Sequence, residues 1–303
     1  MRILLIGGGW SNEREISLRA IPDISEAMQG LGHEVVFLDP AIEFDQLLPK
    51  ASICDFAFIN LHGTPGEDGL VQALLTSVGC PYQGGKTDSS MLAFNKSMSK
   101  VIFVANNIKT PGWEFLALPP KKDWQPSFPF PLIIKPNTGG SSLDVSLVFS
   151  NSELLEQIDK IFSSGNTVIL EEYVQGQDIT CAVLGQEALS PILILPPEES
   201  TFFDFFSKYT PAASQEICPA PVSPELKDKI EEIAIQAHMA LNLADYSRTD
   251  FIINDNQPYA LEVNSLPGLT TASLFPKAAK ERGYSFQDLI KQLIELGLQS
   301  KGD

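Results

Sequence analysis

The residues best placed for chemistry lie in two neighbouring segments, RTDFIIND (248–255) and YALEVN (259–264). In the second, Tyr259, Leu261 and Val263 are apolar while Glu262 and Asn264 are polar, so alternation puts Glu262 and Asn264 on one face of a strand. Asn254-Asp255-Asn256 between the segments is a turn signal, and the pair reads as a hairpin. If Ile253 pairs with Tyr259, Asp250 lies opposite Glu262 and points the same way. Three oxygen donors then converge at one end of the hairpin, a set that a hard cation such as Mg²⁺ takes together with water and substrate phosphates. Arg248 shares the parity of Asp250. Pattern alone favours a solvated sheet face, with Arg248 in a surface ion pair.

A second candidate is IIKPNTGGSS (133–142), in which Lys135 ends a strand and two glycines and two serines follow. Glycine lets backbone N–H groups approach phosphate oxygens, and the lysine adds charge. An ordinary Gly-Ser turn would look similar. His62 and Glu67 of HGTPGEDG (62–69) sit in a loop between a strand and a helix, where α/β proteins carry function, and Ser11 of SNER (11–14) reads as a helix N-cap. Two nucleotide motifs fail. GGGWSN (7–12) has Asn12 where a GxGxxG fingerprint needs glycine, and GGKT (84–87) would need a glycine where Cys80 stands. No Ser-His-Asp order, HExxH or paired Cys/His spacing is present, so hydrolase and zinc chemistry have no residues to use.

These side chains need a frame. Ile3–Ile6, HEVVFLD (33–39) and DFAFINL (55–61) are short, nearly continuous apolar runs, as in parallel strands covered on both faces, and helical stretches follow from Glu13 to about Gly30 and over Leu70–Val78. The first ~90 residues therefore read as βαβ units. Six prolines between 118 and 136 lead into a middle block with strand candidates at Leu132–Lys135, Val145–Val148, Val168–Glu171 and Ile179–Leu184 and a helix near 152–162, of more antiparallel character. Residues 196–225 look mostly irregular but hold Phe202, Phe203, Phe205, Phe206 and Tyr209, and such long stretches are often functional. Leu226, Ile230, Ile233, Ala234, Ala237 and Leu241 then recur at helical spacing, and Ser285 with Asp288 opens a last helix as a capping box.

The chain has 303 residues, 44% of them hydrophobic, enough for more than one core. Its 38 acidic and 21 basic residues leave a formal net charge of −17, which argues against nucleic acid and an anionic membrane surface as partners. No apolar run approaches the ~20 residues of a membrane helix, and MRILLIGGG lacks the length and cleavage site of a signal peptide. A cytoplasmic location is expected, with Cys54, Cys80, Cys181 and Cys218 as buried thiols.

Taken in order, GGWSNEREISL (8–18), LHGTPGEDG (61–69), NKSMSK (95–100), IIKPNTGGSS (133–142), VILEEYVQGQD (168–178), TFFDFFSKY (201–209), RTDFIIND (248–255) and LEVNSLPGLTTASL (261–274) resemble the D-alanine–D-alanine ligases of the ATP-grasp superfamily. The resemblance implies a mixed α/β and α+β, three-domain ATP-grasp fold: an N-terminal parallel α/β domain over 1–95, a central subdomain over 96–178 and a C-terminal subdomain over 179–303. ATP would lie between the second and third, and 196–225 would form an omega loop that excludes water from an acyl phosphate.

The same resemblance implies roles. Glu13 would hold the first D-alanine's ammonium, with Ser141 and Tyr209 in a network closing the site and His62 close by. Lys96 and Lys135 would bind the ATP phosphates, with Lys208 on the omega loop. Glu171, Glu172 and Val174 would hold adenine and Asp178 the ribose. Arg248 would stabilise the tetrahedral oxyanion, and Ser273 and Leu274 would contact the second D-alanine's carboxylate. Asp250, Glu262 and Asn264 would ligate Mg²⁺, with Mn²⁺ as a substitute. Peptidoglycan synthesis and a homodimer follow from the resemblance as expectations. Tyr209, where D-lactate ligases usually carry Phe, favours D-alanine as acceptor. The chain departs from the family at Asp178, usually Glu; at Glu172, often Lys; and at Asp144, usually glycine, where an acid pointing inward would repel a triphosphate. Alternatives are a sister ligase for another D-amino acid or dipeptide and a non-catalytic ATP-binding relative.

Overall fold

A computed structural model of the chain describes residues 1–121, 123–140, 144–195 and 215–300. Ile3 to Ile6 of the first strand, Arg2–Gly7, are fully buried, and the strand pairs in parallel with Glu34–Leu38 on one side and Phe56–Asn60 on the other. Phe56–Asn60 is buried throughout, but Glu34–Leu38 leaves Glu34 and Phe37 exposed. The expected cover on both faces therefore fails for that strand, which stands at the sheet's edge. Its core also takes in Phe275, Leu289, Ile290, Leu293 and Ile294 from the helices Leu274–Glu281 and Phe286–Gln299, so the two ends of the chain share one interior. The last helix opens on the expected capping box of Ser285 and Asp288.

The antiparallel character expected of the middle block is present. Trp113–Leu116, Val168–Glu172, Leu132–Pro136 and Ser146–Val148 form one antiparallel sheet in that order, backed by the helix Asn151–Ser163. Gln215–Ile217, Ile192–Leu195, Gln177–Leu184, Tyr246–Asn254 and Gln257–Asn264 form another. Behind it pack Phe103 of the helix Lys96–Ala105 and Leu226, Ile230, Ala234 and Ala237 of the helix Pro224–Ala240.

Within 196–225, residues 196–214 lie outside the described residues, and 215–225 is mostly irregular, its regular parts being a short strand and the start of a helix. Gln215–Ile217 adds to the edge of Ile192–Leu195, and Ser223 caps the helix that begins at Pro224. The hairpin register differs from the expected one near its turn. Ile253 pairs with Pro258 and Ile252 with Tyr259, because Leu261 is an extra residue bulged between Ala260 and Glu262. Beyond the bulge Asp250 faces Glu262, and Arg248 faces Asn264. None of the four cysteines is in a disulfide, but only Cys80 and Cys181 are buried, and Cys54 and Cys218 are half-exposed. Among the described residues no helix is long and apolar enough to cross a membrane.

Candidate active site

The hairpin brings Arg248, Asp250, Glu262 and Asn264 onto one face. Arg248 donates from Nε to Asp250 Oδ1 and from Nη2 to Asp250 Oδ2, both at 2.9 Å. Thr180, opposite Asp250 on the neighbouring strand, donates to Oδ1 at 2.6 Å. Asn264 Oδ1 accepts from the Leu266 N–H at 2.9 Å, and Lys96 Nζ lies 3.5 Å from Glu262 Oε2. Two carboxylates and one amide oxygen on one face are hard donors only, so the set fits a small divalent cation rather than a softer metal. Arg248 and Lys96 offset the carboxylate charge.

Next to this face stands a cluster of lysines. Lys96 and Lys100 are one turn apart on a helix whose N-cap, Asn95, accepts from the Met98 N–H. Lys96 donates to the Gly139 carbonyl at 2.6 Å. Lys100 is wholly buried, 3.0 Å from Glu171 Oε1, and donates to Thr110 Oγ1 at 2.6 Å. Lys135 approaches the same Glu171 oxygen at 2.8 Å. Burial pushes the Lys100 pKa down to about 8, with Lys135 adding to the fall and Glu171 opposing it. Burial also opposes the charges of Lys135 and Glu171. For Lys135, Glu171 and Glu262 more than offset it and raise the pKa; for Glu171, the two lysines hold the carboxyl below its ordinary range.

The glycine loop is anchored at both sides. Asn137 accepts from the Ser97 N–H and donates to Asn95 Oδ1, tying the strand of Lys135 to the helix of Lys96. Asn166 accepts from the backbone N–H of Thr138 and donates to its carbonyl. A Cβ on Gly140 would lie 3.0 Å from the Glu13 carboxylate, so the loop backbone runs directly past that acid. Ser141 lies outside the described residues, as do Lys208 and Tyr209.

Two cavities, each of about 420 Å³, open from these elements. The first is lined by Lys135, Glu171, Glu172, Val174, Asp178 and Asp250. The second is lined by Glu13, His62, Glu67, Asn264, Ser273 and its neighbours. Lys96, Gly139, Gly140, Arg248, Glu262 and Leu274 line both, so the cavities meet at those residues. The departures from the family pattern fall at the first cavity. Glu172 accepts from the Gly112 N–H at 3.0 Å. Asp144 takes φ 56°, the left-handed conformation that suits the glycine usual there, and its carboxylate meets Lys160 at 2.8 Å. The acid that would repel a triphosphate is ion-paired.

In the second cavity burial lowers the His62 pKa against the pull of Glu13, and burial with Glu13 nearby raises the Glu67 carboxyl to about 8. Ser11 is not the helix N-cap. That position is Glu13, and the Ser11 hydroxyl instead donates to the His62 carbonyl at 2.6 Å and accepts from the Glu13 N–H, joining the two loops. Ser273 shares a 2.7 Å hydrogen bond with Thr270. Sequence reasoning quoted NKSMSK but missed Lys100, whose i, i+4 spacing from Lys96 was its signal. It missed Thr110, Asn137 and Thr180 because their partners come from distant segments.

A family model described as D-ala D-ala ligase C-terminus matches residues 111–295. A D-alanine–D-alanine ligase of Maridesulfovibrio salexigens is 50% identical over 99% of this chain and 100% of its own length. One from Nitratidesulfovibrio vulgaris is 48% identical across 100% of both. Among solved structures, a D-alanine–D-alanine ligase from Bacillus anthracis complexed with ATP has a TM-score of 0.87 at 33% identity, covering 100% of this chain and 99% of that one. The VanG D-Ala:D-Ser ligase from Enterococcus faecalis has a TM-score of 0.85 at 26% identity, covering 98% and 99%.

Proposed function

This chain belongs to the D-alanine–D-alanine ligase family, and from that premise we propose that it joins two D-alanines through an acyl phosphate at the expense of ATP. The observation that supports this most directly is the meeting of the two cavities at Lys96, Arg248 and Glu262, because an acyl phosphate must form from one side and be attacked from the other.

In the first step a carboxylate oxygen of one D-alanine attacks the γ-phosphorus and the bond to ADP breaks. In the second, the amine of another D-alanine attacks the acyl carbon, the carbon–oxygen bond to phosphate breaks, and the amine's proton departs. Lys96 and Lys135 hold the phosphates. The strip of Glu171, Glu172 and Val174 borders the adenine, and Asp178 takes the ribose. Asp250, Glu262 and Asn264 hold Mg²⁺, which when bound neutralises phosphate charge. Glu13 takes the first ammonium, with His62 behind it and with Ser141 and Tyr209 closing the site. Ser273 and Leu274 receive the second carboxylate. Arg248, two of whose N–H groups are directed at Asp250, stabilises the oxyanion that develops at the acyl carbon.

In the same reading three domains, 1–95, 96–178 and 179–303, surround this site, the product is a precursor of peptidoglycan, the location is cytoplasmic and the working form is a homodimer. The likeness to a D-Ala:D-Ser ligase supports a second reading, a different D-amino acid as acceptor. A panel of amino acids incubated with the protein, ATP and Mg²⁺ separates the two. Phosphate release and dipeptide with D-alanine alone are expected, and release only with another amino acid would move the assignment to that acceptor.

A further inference from the structure

The charge balance around Glu171 points to a residue that none of the expected roles includes. Glu171 Oε1 lies 3.0 Å from Lys100 and 2.8 Å from Lys135, and all three side chains are at least nine-tenths buried. One carboxylate shared by two ammonium groups leaves a net charge of +1 beside the first cavity. Lys135 and Glu171 line that cavity, whereas Lys100 does not. Lys100 is also hydrogen-bonded to Thr110, whose neighbour Pro111 lines the same cavity.

We infer that Lys100 is a positioning residue for phosphate binding: by sharing Glu171 it keeps the Lys135 charge from being cancelled and leaves it directed at the triphosphate. The inference rests on the reading that the first cavity binds ATP. Without Lys100, Glu171 and Lys135 become a neutral buried pair, and the pull of the cavity on an anion falls. Adenosine carries no phosphate and would not register this loss. Damage to the pocket's shape would weaken adenosine and ATP alike.

The test is calorimetric titration of ATP and of adenosine into the wild-type protein, Lys100→Met and Lys100→Arg. Lys100→Met is expected to weaken ATP by about tenfold or more while adenosine stays within about twofold, and Lys100→Arg to recover most of the ATP affinity. If Lys100→Met does not fold, Lys100→Gln, which keeps a polar end against Thr110, carries the same expectation. Equal losses for ATP and adenosine, or no loss for either, overturn the inference while leaving the wild-type binding of ATP intact. A wild-type protein that bound neither would overturn the reading beneath it as well.

Discussion

Arg248 grips Asp250, two residues along the same strand, with both carboxylate oxygens engaged at 2.9 Å. The grip fixes the guanidinium plane at the junction of the two cavities, which Arg248 lines from both sides. Arg248→Ala is expected to lower kcat by about 10²–10³ while ATP affinity changes little, because the lost interaction belongs to the transition state. Arg248→Lys should not restore turnover, since an ammonium cannot span both oxygens of Asp250. Steady-state kinetics with a parallel ATP titration checks this; equal losses in kcat and ATP affinity would assign Arg248 to nucleotide binding.

Glu262→Gln should raise the Mg²⁺ concentration for half-maximal activity by about 10–100-fold, the usual scale for altering a metal's surroundings. Asp250 faces Glu262 across the hairpin, so the remaining donors stay in place. A Mg²⁺ titration at saturating ATP decides, and an unchanged midpoint would remove Glu262 from the ligand set.

The hairpin also shows what could be read in advance. Period-two alternation put Arg248, Asp250, Glu262 and Asn264 on one face, and they share it. The bulge at Leu261 was not legible, because an inserted residue leaves the composition of the strand unchanged and shows only in the pairing. Ser11 looked like a helix cap from its local sequence, yet its hydroxyl bonds His62, which is distant in sequence and close only in the fold. The same holds for Lys100. Its spacing from Lys96 was visible, whereas its burial against Glu171 depends on its helix meeting the strand Val168–Glu172, which is distant in sequence.

Gly176 is needed for close approach. A Cβ there would lie 2.3 Å from the Ile253 carbonyl oxygen, and Gly176 lines the first cavity. Gly176→Ala is expected to destabilise the fold by about 1–3 kcal/mol and to weaken ATP binding. Urea unfolding and an ATP titration of the variant test both effects. A variant as stable as wild type would contradict the close packing of Gly176 against Ile253.

His238 is buried with Nδ1 2.8 Å from Ser247 Oγ, and burial lowers its pKa from 6.5 to about 4. The unfolded chain therefore takes up the proton first as pH falls below 6.5, so stability is lost on going down toward pH 4, by up to roughly 3 kcal/mol. His62, also lowered by burial, contributes in the same direction. Unfolding free energies of wild type and His238→Gln across this window isolate the share of His238. The variant should show the shallower slope, and parallel curves would mean that His238 charges freely in the folded protein.

In the proposed reaction a D-alanine carboxylate oxygen becomes bonded to phosphorus before the peptide bond forms. The most direct test supplies D-alanine labelled with a heavy oxygen isotope in its carboxylate, together with ATP and Mg²⁺, and follows the label by mass spectrometry of the inorganic phosphate. D-alanyl-D-alanine and an equal amount of phosphate carrying one labelled oxygen are expected. Dipeptide accompanied by unlabelled phosphate, or no dipeptide from D-alanine at all, would contradict the proposed reaction.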